Sequence, residues 1–340
     1  MNLPPSSLPP VDPSEDPLWR RVWPAPAKLN LFLHITGRRS DGYHLLETLF
    51  RFIDIEPDEH HGGGSDRLRF VPRNDWTIAR AHPLPGIGEE SDLSLRAASR
   101  LHAAACAAGL PPPCGVTIEL EKRLPQGGGL GGGSSDAATV LLALNRLWGL
   151  GFSNAALCAI GLELGADVPV FVAGRNAFAA GIGEELRPLD LPPAWYVVVA
   201  PDVAVPTAEI FRAPELRRDT SPLAANADLC APGFGRNDLQ PAAVARYPQI
   251  AACLAALESA VETVAPMERK LRGKSNLARM TGSGACVFAE LPTGETARAV
   301  LRELSASASL PPAARAWRAR GLPVHPLHGE PVEIFGDGSS

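Results

Sequence analysis

Six glycines stand among the seven residues Gly127 to Gly133, inside the run LPQGGGLGGGSSDAATVLLALN from Leu124 to Asn145. Ordering glycine costs roughly 1 kcal/mol against alanine, so this density implies a task that side chains would obstruct. A helix N-terminus offers unpaired backbone N–H groups and about half a positive charge. Glycines leading into it let those amides close around phosphate oxygens. The chemistry indicated is anion binding, with Pro125, Gln126, Gly127, Gly128, Gly129, Leu130, Gly131, Gly132, Gly133, Ser134 and Ser135 as the cradle.

Two other readings of this loop are weaker. Gly127, Gly129 and Gly132 satisfy the GxGxxG dinucleotide fingerprint, but so glycine-dense a run matches it almost automatically, and the next acid after Asp136 is Glu163, too far for the ribose contact. The GKS at Gly273–Ser275 has Glu268 where a P-loop needs its first glycine. A flexible linker would have low complexity on both sides. Further along, Gly282, Ser283 and Gly284 in MTGSGACVFAEL form a second glycine turn feeding a strand, which by itself could be a plain β-turn.

These residues need elements to hold them. In PAKLNLFLHI, Leu29, Leu31, Leu33 and Ile35 share one parity, leaving Lys28 and Asn30 together on the opposite strand face, aimed at something polar. LLETLFRFIDI (45–55) reads as a neighbouring strand, 56–91 as a loop-heavy insertion around one short strand, and 91–109 as a helix capped by a serine. CGVTIELEKRL leads as a strand into the glycine loop. After it, Ala137, Val140, Leu141 and Leu144 make one helical face, with Ser134 or Ser135 as N-cap. Residues 156–174 read as helix, turn and strand, WYVVVA (195–200) as a strand, PTAEIF as a turn and 248–264 as a helix. This order predicts an α+β protein with two domains: a disordered leader at 1–22, domains at 23–180 and 181–332, and a tail at 333–340.

The chain has 340 residues, a net charge of −5 and 45% hydrophobic residues, an ordinary globular composition without the basic excess of a nucleic-acid binder. The expected partners are small molecules, with no nucleic acid and no membrane. Cys106, Cys114, Cys158, Cys230, Cys253 and Cys286 show neither CxxC pairs nor metal-ligand spacing, which predicts reduced thiols in a cytoplasm. His60 and His61, flanked by glycine, read as exposed loop histidines rather than a metal site.

PAKLNLFLHITGRRSDGYHLLETLF, the glycine run, GADVPVFVAG and MTGSGACVFAEL, in that order, resemble the GHMP kinases over roughly 23–328. PAKLNLFL with DGYH and GADVPVF is similar to the branch acting on a CDP-linked methylerythritol in non-mevalonate isoprenoid synthesis. The resemblance implies a two-domain fold, with an N-terminal ribosomal-protein-S5-domain-2-like ATP-binding domain and a C-terminal α/β sandwich. It implies ATP as co-substrate with Mg²⁺, transfer of the γ-phosphoryl to a 2-hydroxyl, and a monomer or weak homodimer.

By the same resemblance Lys28 and Asp167 are the catalytic pair, Asp167 as general base and Lys28 as charge stabiliser. Tyr43 and Phe211 would sandwich the cytosine with His44 on its edge, Asn30 would bind the methylerythritol hydroxyls, and Thr207 would lie near that pocket. Ser135 and Asp136 are candidates beside the metal, but no protein ligand is assigned, and Asp136 stands where some relatives carry asparagine. A kinase for another small alcohol, a nicotinamide oxidoreductase and a nucleotide-binding regulator remain as alternatives. The leader, 60–88 and 264–276 depart from the compact pattern without interrupting a motif.

Overall fold

The fold is described from a computed structural model, covering residues 16–57, 63–111, 113–272 and 277–328. His60, His61, the GKS at Gly273–Ser275 and the tail fall outside them, as does most of the expected leader. In chain order the first elements are β1 (Trp23–Ala25), β2 (Ala27–Arg38), β3 (His44–Ile55), β4 (Asp66–Pro72), β5 (Ile78–Arg80), α1 (Leu93–Ala107), β6 (Val116–Glu121) and α2 (Gly132–Leu147). There follow α3 (Asn154–Leu162), α4 (Val168–Ala173), β7 (Ala177–Ala180), β8 (Glu185–Pro188), β9 (Trp195–Ala200), α5 (Thr207–Arg212) and α6 (Gln240–Arg246). The last are α7 (Pro248–Val264), α8 (Pro266–Arg272), β10 (Arg279–Met280), β11 (Val287–Leu291), α9 (Gly294–Ala306) and β12 (Arg315–Gly321).

Two compact units interleave along the chain. The first comprises the described part of Met1–Ala25 with Asp66–Lys122 and Gly133–Ala173; the second comprises Pro26–Ser65, Arg123–Gly132 and the residues from Gly174 onward. Residues 23–180, read from sequence as one domain, therefore contribute to both. The cause is sheet pairing: β2 and β3 hydrogen-bond within the sheet that also holds β7, β9 and β12.

In the first unit, a four-stranded sheet runs β1-β4-β6-β5. The α2 face expected from sequence is sound, with Ala137, Val140, Leu141 and Leu144 fully buried. Trp19, inside the expected leader, is buried. The region read as a loop around one strand supplies both β4 and β5. Asp92, not Ser91, caps α1, its carboxylate accepting from the Ser94 amide. VPVFVA, read as a strand, is helix α4. A six-residue apolar run buried all round carries no usable periodicity, proline is tolerated in a first helical turn, and Gly161 lets α3 approach closely, since a Cβ there would lie 2.8 Å from Val168 Cγ1.

In the second unit, eight antiparallel strands form one sheet, ordered β10-β11-β9-β12-β3-β7-β8 with β2 on β3. One face carries Leu33, Ile35, Val197, Val199 and Val287 against Ile250 and Leu257 of α7 and Val300 of α9. The other gathers Leu29, Ile53, Val198, Phe288 and Trp317 with Leu124 and Leu130, which anchor the glycine segment; a register shift between Asn30 and Leu33 thus parts Leu29 from Leu33 and Ile35, which parity had placed on one face. PTAEIF, read as a turn, is helix α5.

Candidate active site

The glycine segment is held by backbone, not side chains. Lys28 donates its amide to Leu130 O at 2.9 Å, while Cys286 and Ala285 donate to Gly128 O and Gly127 O at 3.0 and 3.3 Å. The two glycine turns are thus joined along their main chains. A Cβ on Gly128 would meet Cys286 Sγ at 2.5 Å, and one on Gly129, whose φ is +75°, would meet Thr281 O at 2.2 Å. Part of the glycine density therefore serves this close approach of two turns, and the residues after Gly129 are the ones left open toward an anion.

Those residues run into α2, which starts at Gly132. Ser134 and Ser135, expected as N-caps, lie inside its first turn. Ser135 is fully buried and its Oγ has no hydrogen-bond partner among the described residues, a polar atom whose solvation is lost without replacement. Asp136 is buried too, its Oδ2 accepting from Lys122 Nζ at 2.7 Å; Lys122 also pairs with Asp66. Burial pushes the Asp136 carboxyl well above the ordinary range, with the Lys122 charge opposing and Asp66 adding to the rise. Asp136 Oδ1, like Ser135 Oγ, has no hydrogen-bond partner among the described residues. The Ser135 hydroxyl fits Mg²⁺, which keeps several waters and phosphate oxygens and takes few protein ligands. Among the described residues no cluster of three or more His, Cys, Asp or Glu could hold a metal.

Asp167 lies in the first unit, in the turn closed by Val168 N donating to Gly165 O at 3.1 Å, between α3 and α4 rather than between a helix and a strand. The turn sits against the first turn of α2: a Cβ on Gly165 would be 3.9 Å from Ser134 Oγ. Asp167 itself is half-buried.

In the second unit Lys28 and Asn30 are buried neighbours on one face of β2. Lys28 Nζ donates to Asn30 Oδ1 at 2.5 Å and stands 5.6 Å from the centre of the Phe50 ring. Asn30 is held at three points: its Nδ2 donates to Thr48 Oγ1 at 2.9 Å, its amide to Thr281 Oγ1 at 2.9 Å, and its Oδ1 accepts from Lys28. Thr281 thereby links β2 to the second glycine turn. Asn237 secures that turn by donating to Met280 O and Gly282 O at 2.7 and 2.8 Å.

The aromatic residues also lie in the second unit. The His44 and Phe211 ring centres are 5.1 Å apart, and Tyr43 is 60% exposed, so its ring is open to a ligand. Thr207 Oγ1 is 2.8 Å from Ser283 Oγ, tying α5 to the second glycine turn. Arg218 clamps the group: Nε donates to His44 Nε2 at 3.0 Å, and Nη2 donates to Phe211 O and Ala213 O at 3.0 and 2.8 Å. Desolvation first, then the charges of Arg218 and Arg38, hold the His44 pKa below 6.5.

Sequence reasoning missed Thr48, Thr281, Asn237, Arg218 and Lys122. Only Lys122 carried a signal, as a basic residue just past β6 and shortly before the glycine loop, with an acid in the following helix.

Comparison with known proteins adds an independent line. The family model described as GHMP kinases N terminal domain matches residues 92–175. The 4-diphosphocytidyl-2-C-methyl-D-erythritol kinase of Aromatoleum aromaticum is 52% identical over 307 residues, covering 90% of this chain and 95% of that one. The protein of the same name from Dechloromonas aromatica is 51% identical over 307 residues, covering 90% and 98%. A crystal structure of 4-(cytidine 5'-diphospho)-2C-methyl-D-erythritol kinase is similar with a TM-score of 0.68 and 37% identity, over 88% of this chain and 99% of that one. A mevalonate kinase structure, 13% identical with a TM-score of 0.58, shares the fold.

Proposed function

The chain belongs to the 4-diphosphocytidyl-2-C-methyl-D-erythritol kinase family of GHMP kinases, and on that premise we propose that it moves the γ-phosphoryl of ATP to the 2-hydroxyl of the CDP-linked methylerythritol. The products are the 2-phosphate and ADP, an intermediate on the non-mevalonate route to isoprenoids. The new bond joins the substrate oxygen to γ-phosphorus, the bond to the β-bridging oxygen breaks, and the hydroxyl proton passes to Asp167.

Phosphoryl transfer asks a protein mainly for positioning and charge stabilisation. The amides from Gly131 to Ser135 receive the phosphates where the helix start favours anions. Lys28, held by Asn30, offsets the developing negative charge. The Ser135 hydroxyl would hold Mg²⁺, which when bound would supply neutralisation of the triphosphate charge. His44 and Phe211, set by Arg218, with the exposed Tyr43, take the cytosine, and Asn30 takes a methylerythritol hydroxyl. The six cysteines are free, which suits the proposed cytoplasmic setting.

The observation that supports this reading most directly is the joining of both glycine turns to the strand bearing Lys28 and Asn30. The test is ATP consumption across a panel of alcohols with and without the CDP group, including homoserine and mevalonate. A large loss of kcat/KM on removing the cytidine is expected. Equal rates with and without it would refute the substrate assignment.

A further inference from the structure

The first unit displays an aromatic side chain that neither its core nor the proposed reaction uses. Of the six tryptophans in the chain, Trp76 alone is exposed, at 51%. The turn presenting it is braced on both sides. Asp75 accepts from Arg73 Nε and Nη2, both at 2.8 Å, and from the Thr77 amide at 3.0 Å. Gly115 donates its amide to Asp75 O at 2.7 Å, and Val116 donates to Thr77 O at 2.9 Å. A Cβ on Gly115 would lie 2.4 Å from Thr77 O, so only glycine lets the start of β6 press against this turn. Trp76 is thus fixed through its two neighbours while half of it stays in solvent. Exposed apolar surface continues on β4, where Val71 is 42% exposed on the face opposite the buried Leu68 and Phe70.

The chain carries a segment suited to that surface. Residues 1–15, MNLPPSSLPPVDPSE, lie outside the described residues and contain two Leu-Pro-Pro runs and the spacing Pro10-x-x-Pro13. Proline fixes φ near −65° and favours the polyproline II helix, with three residues per turn. Such segments dock on exposed aromatic rings because they have little conformational entropy left to lose. This one also begins in the right place. It leads into Asp16, whose carbonyl accepts from the Trp19 amide at 3.2 Å, then through buried Trp19 into β1, where Trp23 pairs with Leu68 of β4. From Leu68 to Val71 is about 10 Å along a strand, whereas fifteen residues of polyproline II reach about 45 Å. Asp12 and Glu15 are the only charged side chains of the segment, and the strand it approaches carries Arg67 and Arg69.

We propose that residues 8–13 dock as a polyproline II helix on Trp76 and Val71, folding the N-terminal segment back onto its own first unit. The threefold repeat puts Pro10 and Pro13 on one edge, to stack on the indole, and Leu8 and Val11 on the next, to cover Val71. The occupant belongs to the same chain, so the contact forms at any protein concentration.

Fluorine NMR of the full chain grown with 5-fluorotryptophan reads this contact, the Trp76 resonance being identified by its loss in Trp76→Phe. The comparison is with a chain lacking residues 2–15. In the full chain the Trp76 resonance should be shifted, and a soluble gadolinium chelate should broaden it at least twofold less, with Trp148, Trp195 and Trp317 unchanged. The double variant Pro10→Gly, Pro13→Gly keeps the length of the segment and should behave like the deletion. An identical Trp76 resonance and equal broadening in the full and shortened chains overturn the proposal. So does protection that survives the double variant, or that grows with protein concentration, since a second copy would then supply the contact. Thermal melting checks that the shortened chain, which keeps Trp19, is folded; if it is not, the double variant carries the comparison.

Discussion

Arg218 and His44 are joined by a hydrogen bond of 3.0 Å in which the guanidinium Nε donates to the imidazole Nε2. That direction requires His44 to be neutral with its proton on Nδ1. Because Arg218 also donates to the carbonyls of Phe211 and Ala213, it sets the histidine and the end of α5 together. Replacing it with methionine should loosen both sides of the proposed cytosine pocket. Stacking is worth roughly 1–3 kcal/mol per base, so steady-state kinetics of R218M should show KM for the CDP-linked substrate raised about tenfold, with kcat changed much less.

The same contact has a pH signature. The folded-state pKa of His44 lies below 6.5, so folding favours the neutral ring. Its contribution is complete above pH 6.5 and is lost as pH falls below that value. Protonation would remove the acceptor and set two cations against each other. Calorimetric affinity for a CDP ligand should therefore be flat above pH 6.5 and weaken below it. In R218M the midpoint should move up, toward the ordinary histidine value.

Asp167→Asn and Lys28→Ala should each abolish measurable turnover in a folded protein. General-base help is typically worth about 10²- to 10⁴-fold, and loss of the ammonium removes charge stabilisation as well. Single-turnover rates with thermal melting as a fold control test this. Near-normal kcat in either variant would remove that residue from the mechanism.

Two alanine substitutions separate the glycines needed for packing from those needed for ligand. Gly129→Ala places a Cβ 2.2 Å from Thr281 O at a φ of +75°, and should destabilise the protein by well over about 1 kcal/mol. Gly133→Ala meets only Leu93 Cδ1 at 3.5 Å and should melt no lower than wild type. If the helix start receives phosphate, Gly133→Ala should nevertheless raise KM for ATP.

Lys122 should prove structural. Lys122→Met leaves Asp66 and Asp136 buried without their cation, at a cost of about 3–5 kcal/mol. Asp136→Asn keeps an oxygen to accept from Lys122 and leaves the Lys122–Asp66 pair in place, and should cost far less. Denaturant unfolding of the two variants gives the comparison.

What could be read from the sequence was local in origin. Lys28 and Asn30 share a strand face by parity alone, α7 follows from helical spacing, and the glycine run announces a backbone task because each glycine forgoes a side chain. Where local pattern is ambiguous the reading failed: VPVFVA is too short and too uniformly apolar to reveal whether it is helix or strand, and PTAEIF holds barely a turn and a half of helix. Tertiary structure alone decided the partners. Gly128 must be glycine because of Cys286, Asp136 is held by Lys122, and His44 is oriented by Arg218. Those contacts join residues far apart in the chain, so no periodicity or spacing within a segment encodes them. The division into units follows the same logic, since β2 and β3 are placed by the strands they pair with and not by their position in the sequence.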